Sequence, residues 1–286
     1  MTSDQEISVR RGEFERRGRR IARRSWLPAT PARGVIVLVH GVAEHSGRYE
    51  FVGRTLAAAG FAVHALDHIG HGESASAGAR TNIESVDDAA DNVAALLELV
   101  RAEHPGLPAF VIGHSMGALI TLHLATRAPL DVAGVVVSAP PLIIDAGNPA
   151  QRLLAPVLTR LAPNLGVLKL DSSQISRDPA VVTAYDEDAL VFRGKLPART
   201  ATEILTAATR VLDRLPQLLV PTLALHGTAD AIAAPASTDR IEQHAGTTDL
   251  TVRRYDGLYH EIFNEPERAQ VLADVVSWLD AHLPAE

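Results

Sequence analysis

Three residues of types that together carry out acyl transfer lie at separate points of this chain. Ser115 is the centre of the pentapeptide Gly-His-Ser-Met-Gly at 113–117, and this pattern places a serine on a sharp turn between a strand and a helix. Asp230 and His260 each follow a strand-like segment further along the chain. A serine becomes a nucleophile when a histidine accepts its proton and a carboxylate orients that histidine. The residue types and their order therefore predict a catalytic triad of Ser115, Asp230 and His260.

Acyl transfer also needs two backbone N–H groups that bind the carbonyl oxygen as it becomes charged. The residue after the nucleophile, Met116, is expected to donate the first of them. The second is expected from the loop after an early strand, where Gly41 lets the backbone approach the substrate and Val42 follows it. The sequence thus predicts an oxyanion hole made of the Val42 and Met116 N–H groups.

Other polar residues near this loop have competing interpretations. Asp67 also follows a strand, but it precedes the serine, and we expect it to fix the glycine-containing loop 67–74. Four histidines of the same region raise the alternative of a metal site: His40, His45, His68 and His71. They provide no pair of histidines four residues apart on a helix, and the carboxylates have better roles. No metal and no cofactor are therefore expected.

The elements that must position these residues alternate between strands and helices. Apolar runs predict strands at 35–39, 61–66, 109–112, 132–138, 222–226 and 250–255. Helical periodicity predicts helices at 48–59, 85–103, 116–127, 236–244 and 266–282. Such alternation is typical of an α/β fold with a mostly parallel sheet and right-handed crossovers.

The alternation fails between residues 139 and 216. We expect a core domain of residues 1–139 and 216–286, interrupted by an inserted cap of residues 140–215. The cap would cover the carboxyl edge of the sheet, where sites of α/β proteins lie. Extra packing of the core is the competing interpretation. Within the insertion, residues 151–161 have a helical apolar pattern that Pro156 interrupts.

Composition excludes several classes of protein. The 286 residues carry a net charge of -7, which argues against binding to nucleic acid. The absence of cysteine excludes disulfides and thiolate chemistry. No apolar run reaches the roughly 18 residues that span a bilayer, and no signal peptide is evident, so a cytoplasmic protein is expected. The arginine-rich residues 1–24 predict a solvated hairpin that turns at Gly18.

The chain resembles the monoacylglycerol lipases of the α/β-hydrolase superfamily, and the bacterial members in particular. The resemblance extends from about Phe14 to Leu283. Its most specific segments are His-Gly-Val-Ala-Glu-His-Ser-Gly-Arg-Tyr at 40–49 and Asp-Ser-Ser-Gln-Ile-Ser-Arg at 171–177. Further matching segments lie at 67–72, 113–117, 184–185, 226–230, 259–260 and 265–267.

The resemblance implies the α/β-hydrolase fold and hydrolysis of monoacylglycerols through an acyl-enzyme. In similar enzymes polar residues hold the glycerol headgroup, and Glu44, Arg48 and Tyr185 occupy those positions here. The alternative for Glu44 and Arg48 is a structural salt bridge, weak if exposed, because they are four residues apart. Animal members have a second histidine three residues after the catalytic one. Phe263 stands there, so that headgroup contact is not expected in this chain.

An acyl chain needs an apolar channel, which the insertion is expected to supply. Its candidate residues are Leu142, Ile143, Ile144, Leu153, Leu154, Val157, Leu158 and Leu161. The same residues would allow transient contact of the cap with a membrane or lipid surface. Two alternatives remain open, namely a broader carboxylesterase or lysophospholipase of the same fold, and a lipid-binding protein without catalysis. The oligomeric state is not predicted.

Overall fold

The computed structural model describes residues 7–75, 81–144 and 159–284. The ten strands of these residues are β1 (Ser8–Arg16), β2 (Arg19–Leu27), β3 (Gly34–Val39), β4 (Phe61–Leu66), β5 (Ala109–His114), β6 (Gly134–Ser138), β7 (Gly166–Leu168), β8 (Leu196–Pro197), β9 (Thr222–Gly227) and β10 (Leu250–Tyr255). The seven α-helices that lie wholly within these ranges are α1 (Glu50–Ala58), α2 (Val86–Glu103), α3 (Met116–Arg127), α4 (Pro179–Glu187), α5 (Ala198–Arg214), α6 (Ala236–His244) and α7 (Arg268–Ala281). None of the helices in these three ranges is long and apolar enough to cross a bilayer.

Eight strands form one sheet in the order β1-β2-β4-β3-β5-β6-β9-β10. The six neighbouring strands β4, β3, β5, β6, β9 and β10 pair in parallel. Strand β2 is antiparallel to both of its neighbours, β1 and β4. The predicted mostly parallel sheet is therefore confirmed. Parallel strands end at one edge of the sheet, so the loops after β3, β5, β9 and β10 meet there.

The central strands are apolar without alternation because both faces of the sheet are covered. In β3, Val35 and Val37 belong to the core on the face of α2, α3 and α5, whereas Ile36 and Leu38 belong to the core on the face of α1 and α7. All four side chains are at most 2% exposed. A strand buried on both faces is fixed in register, which gives the loops at its end a defined position.

The predicted hairpin at the N-terminal end is present, but it is not simply a solvated element. Arg17 and Gly18 both have positive φ, of 50° and 71°, as a two-residue type I′ turn requires. The second strand, β2, enters the sheet and fully buries Ile21 and Trp26. The arginines of the hairpin are largely ion-paired, as when Arg16 contacts Asp88 and Asp91 of α2.

The insertion contains more structure than the single helical segment that the sequence indicated. The described part includes the short antiparallel pair β7 and β8 and the helices α4 and α5. Helix α5 buries Ala207, Ala208 and Val211 in the core on the face of α3. One face of this helix therefore packs as core, although it lies within the predicted cap. The predicted cap residues Leu153, Leu154, Val157 and Leu158 lie outside the described residues.

Candidate active site

The pentapeptide 113–117 forms the turn from β5 to α3. Ser115 has φ 53° and ψ −122°, a conformation that non-glycine residues rarely adopt and that costs of order 1–3 kcal/mol. A Cβ on Gly113 would collide with the backbone of Gly117, and one on Gly117 with the backbone of Val39. Both glycines are therefore required by close backbone packing. The Ser115 N–H donates to the Ser138 carbonyl at 2.9 Å, which anchors the turn on β6.

The structure brings the three predicted triad residues together. The distance between Ser115 Oγ and His260 Nε2 is 2.9 Å, and that between His260 Nδ1 and Asp230 Oδ2 is 2.7 Å. All three residues are buried, with exposures of 8%, 4% and 7%. If His260 donates its Nδ1–H to Asp230, then Nε2 carries the lone pair that can accept the serine proton. The arrangement can therefore generate a nucleophilic Ser115 Oγ.

Asp230 is held as a carboxylate by several donors. Its Oδ1 accepts the backbone N–H groups of Ile232 and Ala233 at 2.8 and 2.9 Å. Burial opposes its ionisation, but hydrogen bonds from His226 and His260 and from the Ala233 backbone outweigh burial and keep the Asp230 pKa well below its usual value. The charge that orients His260 is thus present at neutral and mildly acidic pH.

Both predicted oxyanion donors lie beside the nucleophile. Val42 and Met116 line the same cavity as Ser115 and His260. Neither backbone N–H has a hydrogen-bond partner within the described ranges. A Cβ on Gly41 would lie 3.2 Å from Ser115 Cβ and 2.8 Å from Glu44 Oε1, so only glycine fits this approach comfortably. Two free donors next to a nucleophile can bind the oxygen of a tetrahedral intermediate.

Glu44 and Arg48 form a buried ion pair rather than an exposed one. Arg48 Nη1 donates to Glu44 Oε2 at 2.8 Å, and the guanidinium also binds both oxygens of Glu261 at 2.6 and 2.7 Å. Glu44 Oε1 accepts the Gly41 N–H at 2.6 Å and the Tyr49 hydroxyl at 2.8 Å. The predicted pair thus belongs to a larger network that links the oxyanion loop to the loop of His260.

The two carboxyl groups beside Arg48 differ in their electrostatics. Burial raises the pKa of Glu44, and the charge of Arg48 only partly offsets it. Burial also opposes ionisation of Glu261, but its two hydrogen bonds and its attraction to Arg48 lower the pKa overall. Arg48 is therefore paired chiefly with Glu261, and Glu44 is the carboxyl group more easily protonated.

The third predicted headgroup residue, Tyr185 of α4, lies on the same network. Its ring covers the Arg48 guanidinium with 4.6 Å between Arg48 Cζ and the ring centroid. Tyr185 also lines the cavity, together with Glu44, whereas Arg48 lies behind them and does not. Phe263, which replaces the second histidine of animal members, is buried and packs edge-on against His114.

A cavity of about 650 Å³ opens on Ser115. Most of its wall is apolar and comes from the insertion, with Ile144, Val167, Leu168, Leu170, Ile175, Leu196, Ile204 and Leu205 among the lining residues. Of the predicted channel residues, Ile144 lines the cavity, Leu142 is buried in the core, and Leu161 is 78% exposed. The size and lining suit a ligand with a long apolar chain.

Asp67 has the role that the sequence predicted for it. Its Oδ1 accepts the Ser46 N–H at 2.8 Å and its Oδ2 accepts the Glu73 N–H at 2.7 Å. In the neighbouring histidine group, His40 Nε2 accepts the His68 backbone N–H at 2.9 Å, and Nδ1 therefore donates to the Gly41 carbonyl at 2.7 Å. Both nitrogens of His40 are thus engaged within the protein, which leaves it no lone pair for a metal.

Stability should fall as the pH drops below 6.5, because buried histidines stay neutral in the folded protein. Burial above all lowers the pKa of His64 to about 3, of His71 to about 4 and of His114 to about 3. In the unfolded chain a histidine titrates near 6.5, so only the unfolded state takes up protons from pH 6.5 down to about 4. Each ring should lower the free energy of unfolding by up to about 1.4 kcal/mol per pH unit in that window.

Urea unfolding at pH 7.5, 6 and 5 measures this loss. Carboxylates of the unfolded chain titrate near pH 4, so above pH 5 the protons that the unfolded state takes up go to histidines. A urea midpoint that stays constant or rises between pH 7.5 and 5 would contradict the prediction.

Three side chains that complete the site were not predicted from the sequence. His226 donates toward Asp230 Oδ2 at 3.2 Å, Glu261 pairs with Arg48, and His114 lies with its ring 4.8 Å from that of His260. His226 lies in the matching segment 226–230, and Glu261 directly follows the matching segment 259–260. Their positions could therefore have indicated a place near the site. His114 occupies the variable position of the pentapeptide, where the pattern specifies nothing.

Comparisons with known proteins agree with this geometry. The family described as serine aminopeptidase, S33 (Hydrolase_4) matches residues 30–267. The monoacylglycerol lipase of Mycolicibacterium smegmatis is 40% identical over 267 residues, which are 93% of this chain and 95% of that protein. The monoglyceride lipase of Homo sapiens is 34% identical over 244 residues, which are 85% of this chain and 80% of that protein.

A solved structure extends the likeness to three dimensions. The crystal structure of Paleococcus ferrophilus monoacylglycerol lipase superposes with a TM-score of 0.82 at 34% identity. The match covers 92% of this chain and 99% of the other chain. Fold, site and sequence thus point to one family.

Proposed function

This chain belongs to the serine aminopeptidase, S33 (Hydrolase_4) family of α/β-hydrolases, and we propose that it hydrolyses monoacylglycerols to a fatty acid and glycerol. The M. smegmatis relative with that activity in its name is 40% identical over nearly the full length of both chains. In this chain, the observation that carries the proposal is the apolar cavity that ends at Ser115 and meets polar side chains there.

The proposed reaction has two steps. Ser115 Oγ attacks the ester carbonyl while His260 Nε2 takes the hydroxyl proton, and Asp230 stabilises the imidazolium that forms. The Val42 and Met116 N–H groups bind the oxyanion, and His260 then returns the proton to the departing glycerol oxygen. In the second step His260 takes a proton from water, which attacks the acyl-enzyme. His260 then gives that proton to Ser115 Oγ as the acyl–Oγ bond breaks, and the fatty acid leaves.

We propose that the acyl chain lies against the cap, residues 140–215, and that the glycerol lies toward Glu44 and Tyr185. Arg48 would act indirectly, because it fixes Glu44 and stacks on Tyr185 but does not reach the cavity. This division of the cavity gives the apolar and polar halves of the substrate separate environments.

A panel of substrates tests the proposed activity. Across 1-monoacylglycerols of increasing chain length, kcat/KM should rise by up to about fourfold per methylene until the cavity is filled, since each buried methylene contributes about 0.8 kcal/mol. A maximum on short p-nitrophenyl esters would indicate a broader carboxylesterase instead. A maximum on lysophosphatidylcholine would indicate a lysophospholipase, and no hydrolysis at all would indicate a binding protein.

Replacement of the Tyr185 hydroxyl should test the headgroup position. This hydroxyl has no hydrogen-bond partner within the described chain, although Tyr185 lines the cavity. Tyr185→Phe should raise KM for monoacylglycerols about fivefold, the value of one hydrogen bond of roughly 1 kcal/mol. Hydrolysis of p-nitrophenyl butyrate, which lacks glycerol, serves as the control and should not change. Equal losses on both substrates would count against headgroup binding.

Contact of the cap with a lipid surface is also proposed, in keeping with a cytoplasmic enzyme that meets membranes peripherally. Leu161, Leu165 and Leu168 are 78%, 52% and 51% exposed, and Leu168 also lines the cavity. Leu168 is thus an exposed apolar side chain at the cavity, and it would give a lipid substrate a direct route into it.

Leu161→Glu should weaken co-sedimentation with phosphatidylcholine vesicles about tenfold, because burial of one leucine contributes about 1.5–3 kcal/mol. Leu219→Glu is the matched control, since Leu219 is 70% exposed but lies outside the predicted cap, residues 140–215. Equal binding by the two variants would rule out contact through Leu161.

A further inference from the structure

A second group of ligand-type side chains lies outside the cavity of Ser115. His64 of β4, Glu103 at the end of α2 and His104, which caps that helix, each place one nitrogen or oxygen within 4.8 Å of the others. Two rigid elements supply them, because β4 is a buried strand and α2 is an 18-residue helix. His64 is 1% exposed, whereas His104 is half-buried and Glu103 is exposed, so the group opens to solvent on one side.

The two histidines face each other with their Nε2 atoms. These atoms are 3.2 Å apart, and the ring centroids are 5.3 Å apart at an interplanar angle of 56°. Two imidazoles bound to one tetrahedral Zn²⁺ at about 2.0–2.1 Å have their ligand nitrogens about 3.4 Å apart. The observed separation therefore needs almost no movement to become that of a chelating pair.

The surroundings of His64 prepare Nε2 as a ligand atom. Ser25 Oγ, on the adjacent strand β2, lies 2.9 Å from His64 Nδ1 and can accept the Nδ1–H, which leaves the lone pair on Nε2. His64 is 1% exposed, so the buried strand β4 holds its ring in this orientation. A neutral, oriented imidazole is the form that binds a metal.

Arg23 is the group that opposes a cation here. Its guanidinium contacts the Glu103 carboxylate at 2.8 Å and occupies the oxygens that a metal would need. A metal ion would have to displace this contact, and Arg23, whose side chain is 19% exposed, would lose its partner. Arg23 and a metal ion would therefore compete for the Glu103 carboxylate. Removal of Arg23 should strengthen metal binding, an effect not expected if the two histidines only form a hydrogen bond.

We propose that His64, His104 and Glu103 form a binding site for a divalent transition-metal ion such as Zn²⁺, with water completing the coordination. Two imidazole nitrogens and one carboxylate oxygen are ligands that suit Zn²⁺ and its neighbours in the first transition row. The site ties the end of α2 to β4 and is separate from the residues proposed for ester hydrolysis. The inference does not rest on the proposed function.

Calorimetric titration of the untagged full chain with Zn²⁺ alone tests the proposal. One Zn²⁺ should bind per chain and raise the thermal unfolding temperature. His104→Ala and Glu103→Gln should each weaken binding at least about tenfold. Arg23→Gln should strengthen it, because the competing cation is removed from Glu103. His244→Ala, which removes an exposed histidine at the end of α6, is the control and should leave affinity unchanged.

Absence of Zn²⁺ binding, or binding that His104→Ala and Glu103→Gln leave at full affinity, would overturn the proposal and leave a neutral histidine pair joined by one hydrogen bond. His104 and Glu103 are not buried in the core, so both variants are expected to fold, and circular dichroism checks this. Loss of binding in these two variants with a gain in Arg23→Gln would establish the site.

Discussion

Replacement of Ser115 by alanine should reduce kcat for monoacylglycerol hydrolysis by about a million-fold, as loss of a triad serine does in other hydrolases. Its Oγ is the proposed nucleophile and lies 2.9 Å from the proposed base, His260 Nε2. Without it, only direct attack by water remains, assisted by the oxyanion donors. Titration of released fatty acid measures the loss.

The Ser115→Ala result has a matched control on the same chain. Ser173 is an exposed serine of the insertion whose hydroxyl is hydrogen-bonded to Asp171 and Gln174, and Ser173→Ala should retain full activity. Near-UV circular dichroism of both variants checks that the fold is retained. Activity of Ser115→Ala above about one per cent of the unchanged protein would remove Ser115 from the proposed mechanism.

Asp230→Asn should lower kcat by about ten-thousand-fold, the size of effect expected when a triad histidine loses its orienting carboxylate. Asp230 Oδ2 lies 2.7 Å from His260 Nδ1. An amide NH₂ in that place would donate to Nδ1 and shift the ring proton to Nε2, which could then no longer accept the proton of Ser115. The neutral amide would also fail to stabilise the imidazolium.

Asp239→Asn provides the comparison for this variant. Asp239 lies on α6 and is an aspartate at the surface, paired with Arg254. Its neutralisation should change kcat by less than twofold, since it touches none of the proposed catalytic groups. If Asp230→Asn retained more than about a tenth of the activity, a group other than Asp230 would have to orient His260. His226 lies 3.2 Å from Asp230 Oδ2, but an imidazole carries no negative charge and cannot replace the carboxylate.

The strands and helices of the core could be predicted from sequence because burial on both faces leaves a local signature. Six strands and five helices were predicted within one or two residues of their observed bounds. The predicted start of α1 at residue 48 falls in the short 3₁₀ turn Ser46–Tyr49 that precedes this helix. Helix α5 was missed, although one of its faces packs in the core. Its other face lines the cavity, so its pattern is not that of a simple core helix.

The polar network around Arg48 shows what the sequence could not provide. The spacing of Glu44 and Arg48 suggested a weak exposed pair, yet both side chains are nearly fully buried. The partner that binds Arg48 through two hydrogen bonds is Glu261, 213 positions away. Ion pairs depend on solvent exclusion and on the approach of distant loops, and neither is encoded in local spacing.

The sequence by itself determined the identity and order of the proposed catalytic residues, because the nucleophile turn and the loops after β9 and β10 each have local motifs. It also determined the sheet, since parallel strands buried on both faces are apolar throughout. Only the tertiary structure decided how the insertion shapes the cavity, which residues hold Arg48, and where His64 meets His104. These features arise from contacts between segments far apart in the chain, and their free energies depend on burial and distance rather than on sequence neighbours.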